Sequence, residues 1–161
     1  MADPPRKPPY NPTTAAFSSP IPHVAELGIE LIEAGDGRGL MRLPWRANLV
    51  GNPETGVLHG GVVTTLIDSI CGLACLTALE KPQPIVTLDL RIDYVRPATP
   101  RIDIFAAAHA YKVTRQVVFL RATAYQEDPE DLVAAAVGTF MLSGRLGIRP
   151  ANETAGSESG S

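Results

Sequence analysis

The chain has 161 residues, of which 45% are hydrophobic and 19% are charged, and this favours one globular domain with a sizeable core. Its net charge of −3 gives no electrostatic reason to expect nucleic acid as a partner. The N-terminus has no apolar segment typical of a secretory signal, and polar residues interrupt the longest apolar run, 62–79. We therefore expect a cytoplasmic protein that does not enter a membrane.

Both ends of the chain are polar and differ in composition from the middle. Residues 1–20 are rich in proline and residues 148–161 are a polar tail, so both segments are predicted to be disordered, with a folded domain over 21–147. Cys71 and Cys75 are four residues apart, but no further Cys or His is spaced to complete a metal site. We expect two buried thiols, no metal and no cofactor.

The hydrophobic pattern predicts an α+β domain with one long helix. A short helix or turn over 21–27 comes first, and the long helix runs from Gly60 to about Leu79, where a proline-rich segment ends it. It is apolar on all sides, which is typical of a buried helix enclosed by a curved sheet. Connections between the later strands are too short for crossover helices, so those strands should be antiparallel. The predicted strands cover 28–34, 39–45, 85–95, 101–111, 116–126 and 132–143, with a loop at 46–58.

The strand over 85–95 shows clear period-two alternation. One face is predicted to carry Leu88, Leu90, Ile92 and Tyr94, and the other face Thr87, Asp89, Arg91 and Asp93.

The start of the long helix has the pattern of a catalytic centre. His59-Gly60-Gly61 ends a turn-rich loop, and the free N–H groups of the helix start favour negative charge there. Two turns later stands Asp68, with no basic neighbour within a helical turn. An oxyanion site together with an isolated acid favours a hydrolase. The alternative is structural, with Asp68 bonding a Thr hydroxyl or capping a loop.

These residues belong to a wider pattern that spans about 21–145. It resembles the PaaI-like acyl-CoA thioesterases of the hotdog-fold superfamily. The resemblance implies the hotdog fold, with one long central helix wrapped by a curved antiparallel sheet of five to six strands. The matching residues are Asn52 in NPETG, HGG at 59–61, Asp68, TLDL at 87–90, YVRPA at 94–98, VTR at 113–115 and GTFM at 138–141.

Two departures from the family pattern stand out. The loop between Asn52 and His59 has one residue more than the commonest spacing, which leaves the register of Asn52 open. After YVRPAT, Pro100-Arg101 replaces the usual glycine, which changes a turn rather than the site.

The resemblance assigns roles to five residues. The Gly60 amide polarises the thioester carbonyl, and Asp68 activates water or attacks directly. Asn52 holds the thioester or water, His59 supports the loop or substrate, and Thr87 orients Asp68 or water. Each of the last three has a structural alternative: turn chemistry for Asn52, loop fixation for His59 and strand propensity for Thr87.

Further contacts with acyl-CoA are expected along the same elements. Arginine suits phosphate because its guanidinium is a planar fork, although each cation could equally be a solvated surface charge. The candidate substrate-binding residues are Gly61, Thr65, Arg91, Arg96, Lys112 and Arg115.

Helix geometry adds a prediction about assembly. Gly60 and Asp68 are eight residues apart, which is about 12 Å along a helix, whereas reacting atoms must approach to about 3–3.5 Å. Two antiparallel helices related by a two-fold axis would bring Gly60 of one chain to Asp68 of the other. We expect a homodimer with two shared sites, paired further into a homotetramer.

The resemblance therefore implies an acyl-CoA thioesterase, for which we expect aryl or medium-chain substrates. A non-catalytic acyl-CoA binding protein on the same fold is the first alternative. An acyl-thioester hydratase or dehydratase is the second, although such enzymes typically pair the acid with a His, which the helix lacks.

Overall fold

A long central helix packs against a six-stranded antiparallel sheet in a computed structural model, which describes residues 21–81 and 83–142. This architecture confirms the predicted α+β class. The elements are α1 (Pro22–Leu27), β1 (Glu30–Gly35), β2 (Arg38–Leu43), a 3₁₀ turn (Ala47–Leu49), β3 (Val50–Asn52), β4 (Val57–Leu58), α2 (Gly60–Thr77), β5 (Ile85–Tyr94), β6 (Ile104–Val113), β7 (Val117–Tyr125) and β8 (Leu132–Leu142).

The sheet has the strand order β1-β2-β6-β7-β8-β5, and every neighbouring pair is antiparallel. Helix α2 therefore carries the chain from the β1–β2 side of the sheet to the opposite edge, where β5 lies. Strands β3 and β4 form a separate two-stranded ribbon directly before α2. In the described part of the chain, β5 pairs only with β8, so its second edge is open.

Helix α2 is the centre of the core, where Leu66, Ile67, Ile70 and Leu73 have no exposed surface. The helix lies against β1, β2 and β5 to β8. The inner face of the sheet, which is the face toward α2, is rich in alanine, so the helix can approach the backbone closely. By length and composition α2 could cross a membrane, but its packing makes it the core helix of the domain.

Several predicted boundaries differ from the structure. The segment 46–58 contains the 3₁₀ turn and the β3–β4 ribbon, because its loop residues pair with each other rather than with the main sheet. Strand β6 starts at Ile104 instead of residue 101, since Arg101 has a left-handed φ of 65°, which no strand residue adopts. The predictions for 1–20, Pro82, Ser143 and 148–161 lie outside the described residues.

The facing of Thr87 was also predicted wrongly. Thr87 pairs with Phe140 of β8, and Leu90 pairs with Gly138. Phe140 and Gly138 are two residues apart and so face the same side of the sheet, and their partners Thr87 and Leu90 therefore also share one side. A bulge between Thr87 and Asp89 adds a residue and reverses the alternation there. Thr87 therefore faces α2, whereas Leu88 is 54% exposed.

Substitution of Gly39 tests the close approach of helix and sheet. A Cβ atom at Gly39 would lie 2.6 Å from Cδ1 of the buried Ile70, so we expect Gly39→Ala to lower the free energy of unfolding by about 1–3 kcal/mol. Gly35→Ala is the matched control on β1, because nothing lies within 4 Å of a Cβ atom there. Urea unfolding measures both, and an equal free energy of unfolding for the two variants would contradict this packing.

Candidate active site

The start of α2 presents an exposed backbone amide, that of Gly60. His59 is the N-cap residue, with φ −64° and ψ 132°, and its Nδ1 accepts a hydrogen bond of 2.9 Å from the Gly61 N–H. The Val62 N–H donates to the His59 carbonyl. Within residues 21–81 and 83–142, the Gly60 N–H has no acceptor. Gly60 is exposed and thus offers its N–H to a ligand, whereas the Gly61 N–H is occupied by the His59 ring.

Two hydroxyl groups fix the position of this amide. The Gly60 carbonyl accepts hydrogen bonds from the Tyr94 hydroxyl at 2.7 Å and from Thr64 Oγ1 at 3.1 Å. The two hydroxyls are 2.9 Å apart. Tyr94 thus ties the end of β5 to the first turn of α2. The sequence places Tyr94 in the YVRPA motif, but no role at the site was predicted for it. That motif was the only sequence feature that pointed to a role.

The β3–β4 ribbon fixes the residue before the helix. The His59 N–H donates to the Leu49 carbonyl at 2.9 Å. A Cβ atom at Gly51 would lie only 2.9 Å from His59 Cα, so glycine allows the two backbones to approach this closely. The structural role considered for His59, fixation of the loop before the helix, is therefore present.

Asp68 is half-buried and faces β5. Thr87 Oγ1 donates a hydrogen bond of 3.0 Å to Asp68 Oδ1, which is the predicted contact between these two residues. Among the described residues, no cation lies within ion-pair distance of Asp68. Its carboxylate is thus oriented by one hydroxyl and not neutralised by a basic partner.

The two thiols near Asp68 are poor nucleophiles. Burial, the negative charge of Asp68 and the Cys75 thiol together raise the pKa of Cys71 to about 12. Burial likewise raises the pKa of Cys75 to about 12. Because the thiolate is the reactive form of cysteine, both side chains are inert at neutral pH. They are the buried small residues that the sequence predicted.

The side chains of Asn52 and Thr65 form hydrogen bonds with nearby groups of the same chain. Asn52 Oδ1 accepts from the Glu54 N–H at 2.9 Å, so its side chain caps the turn after β3. Thr65 Oγ1 donates to the Gly61 carbonyl at 3.0 Å and lies 3.4 Å from Nε2 of His23. The structure does not bring Asn52 into contact with Asp68, so the role assigned to it stays a prediction.

The four predicted phosphate contacts do not converge in one chain. The Arg96 guanidinium donates to Asp131, Gln126 and the Pro97 carbonyl, so it joins the end of β5 to the β7–β8 connection. Arg91 pairs with the carboxylate of Asp93, which lies two residues along β5. Lys112 lies near the end of β6 and Arg115 lies in the β6–β7 turn, and both side chains are exposed.

An open cleft of about 380 Å³ adjoins the Gly60 amide. Asp68 does not line it, so one chain holds the amide and the carboxylate in different places. Most of the lining is apolar and comes from β4, α2, the end of β5 and β8. The lining residues are Val57, Leu58, Gly60, Val63, Tyr94, Val95, Arg96, Pro97, Ala98 and Val133.

Comparison with known proteins places the chain in a family. A model of the thioesterase superfamily matches residues 55–133. The medium/long-chain acyl-CoA thioesterase YigI of Escherichia coli is 30% identical over 108 residues, which cover 58% of this chain and 68% of YigI. Human acyl-coenzyme A thioesterase 13 is 34% identical over 90 residues, which cover 56% of this chain but only 58% of the relative.

Solved structures agree with the sequence relatives. A mutant of the phenylacetic acid degradation protein PaaI from Thermus thermophilus is 28% identical, with a TM-score of 0.67 over 76% of this chain and 99% of the other. The hotdog fold and the similarity to PaaI that the sequence indicated are thus confirmed. The chain belongs to the thioesterase superfamily, where acyl-coenzyme A thioesterase 13 and PaaI are among its relatives.

Proposed function

We propose that this protein hydrolyses the thioester bond of an aryl- or medium-chain acyl-CoA to the free acid and CoA. The observation that carries the proposal is the free Gly60 amide at the start of α2, together with the half-buried, unpaired Asp68 carboxylate on the same helix. The relatives support the substrate class, since two are named acyl-CoA thioesterases and one belongs to phenylacetic acid degradation.

The two groups supply what thioester hydrolysis requires. The Gly60 N–H donates to the carbonyl oxygen and stabilises the negative charge that develops there. The Asp68 carboxylate removes a proton from water, whose oxygen adds to the carbonyl carbon, or it adds itself to form an anhydride that water then cleaves. In both routes the C–S bond breaks and the CoA thiolate takes up a proton. Thr87 keeps the carboxylate in one orientation through its hydrogen bond.

The site we propose is shared between two chains. Eight residues of α2 separate Gly60 from Asp68, which is about 12 Å and too far for one carbonyl to contact both groups. A two-fold axis beside antiparallel copies of α2 would bring each Gly60 amide to the carboxylate of the other chain. The lining of the cleft beside Gly60 is consistent with this, because it lacks Asp68.

The open edge of β5 supports the same dimer. An exposed strand edge promotes association unless it is covered, and apolar side chains lie on or next to this one. Leu88 is 54% exposed, Tyr94 49% and Val95 64%. Pairing of β5 with the β5 strand of a second chain would cover this edge and place the two α2 helices side by side. Further pairing of dimers gives the homotetramer that we expect.

Removal of the Asp68 carboxylate tests the reaction directly. We expect the wild-type protein to release thiol from members of a panel of aryl and aliphatic acyl-CoA esters. Asp68→Ala should lose roughly 10²-fold or more in kcat, because a general base contributes about 10²–10⁴. Thiol release is followed by a chromogenic disulfide reagent, with far-UV circular dichroism as the folding control. Equal turnover by the variant on every active substrate, or saturable binding without thiol release, would contradict the proposal.

The Gly60 amide can be deleted without disturbing the helix. Proline is tolerated at the first helical position, and the preceding His59 already has the extended conformation that proline requires. Gly60→Pro removes the N–H, so we expect a loss of about 10²–10³ in kcat with little change in stability. Gly60→Ala keeps the N–H, and its Cβ atom would lie 3.5 Å from the Tyr94 hydroxyl, an ordinary contact. Equal kcat values for Gly60→Pro and Gly60→Ala would show that the amide has no catalytic role.

A further inference from the structure

The outer face of the sheet, which is the face opposite α2, carries basic side chains in register across three strands. Arg38 of β2 is the direct partner of His109 of β6, and His109 is the direct partner of Arg121 of β7. Directly opposed residues in antiparallel strands have Cβ atoms about 4.5–5.5 Å apart, so the three Cβ atoms span about 10 Å. We call Arg38, His109 and Arg121 the basic row.

The basic row has no acidic partner in the part of the chain that the structure describes. Other arginines of the outer face differ in this respect. Arg42 forms an ion pair of 2.8 Å with Glu30, and Arg91 forms one of 3.1 Å with Asp93. Glu33, on the neighbouring strand β1, forms no ion pair with the row. Carboxylates thus neutralise some arginines of the outer face, whereas the basic row is available to an anion.

A shallow hollow of about 220 Å³ lies at the basic row. It exists because small residues adjoin the row, with Ala107 directly opposite Thr123 on the neighbouring strand. Among the residues that the structure describes, no carboxylate lines the hollow, while the Thr123 hydroxyl adds a further donor. The Arg121 Cζ atom lies over the Tyr111 ring at 4.7 Å from its centre, so a cation–π contact helps to hold this guanidinium at the hollow.

We propose that this hollow binds a phosphate group, either free phosphate or the phosphomonoester of a small metabolite. Two guanidinium forks and an imidazole around a concave surface match the oxygen atoms of a phosphate, which arginine binds through paired N–H donors. General attraction of anions does not account for such a site, because the chain carries a net charge of −3. The hollow is on the face opposite Asp68, so it is distinct from the proposed catalytic site and does not depend on thioesterase activity.

Calorimetric titration with sodium phosphate, at an ionic strength held constant with sodium chloride, tests the proposal. We expect saturable binding by the wild-type protein and a dissociation constant roughly tenfold or more higher in Arg38→Gln and Arg121→Gln, since each loses a charge-assisted hydrogen bond. Arg42→Gln is the matched control, because Arg42 lies on the same strand as Arg38 but is already paired with Glu30. Asp68→Asn should bind phosphate as the wild type does.

A parallel titration with adenosine monophosphate distinguishes the two sources of the phosphate group. Tighter binding of the nucleotide identifies a phosphorylated metabolite as the ligand, and tighter binding of inorganic phosphate identifies the free ion. The proposal is overturned if neither ligand binds, or if Arg38→Gln and Arg121→Gln bind both ligands as tightly as Arg42→Gln does. Melting temperatures in phosphate-free buffer verify that all four variants are folded.

Discussion

Because an α-helix rises about 1.5 Å per residue, Gly60 and Asp68 of α2 are held about 12 Å apart. The proposed dimer and its shared active sites follow from this fixed distance. Hydrolysis of a thioester requires that the free amide and the unpaired carboxylate contact the same carbonyl group. One rigid helix cannot bring them together, but a symmetry-related copy can. In the dimer that we propose, the open edge of β5 and the apolar residues beside it form the interface that assembles the shared site.

Strand β5 links both halves of the proposed site. Its Thr87 hydroxyl orients Asp68, and its Tyr94 hydroxyl holds the Gly60 carbonyl at the helix start. The same strand has the edge through which we expect the dimer to form. Any shift of β5 would therefore move the carboxylate, the amide and the interface together, so assembly and activity should be closely coupled. The basic row, on the other face of the sheet, is separate from these contacts.

The sequence predicted the helix and the antiparallel strands better than the local geometry and contacts of single residues. The apolar character of α2 on all sides correctly indicated a buried helix, and short connections correctly indicated antiparallel strands. The facing of Thr87 was missed because alternation cannot reveal a bulge, in which one extra residue reverses every assignment on one side. The hydrogen bond from Tyr94 to Gly60 was missed because it joins residues 34 positions apart, and no local pattern encodes such a contact.

Mixing two inactive variants tests the shared site most directly. Gly60→Pro lacks the amide and Asp68→Asn lacks the carboxylate, so a dimer with one chain of each has one site with both defects and one intact site. After equimolar subunit exchange, half of the dimers are mixed, and the account predicts about a quarter of the wild-type kcat per chain. Exchange is verified by native mass spectrometry. Proven exchange with no recovery of activity would contradict a site formed by two chains.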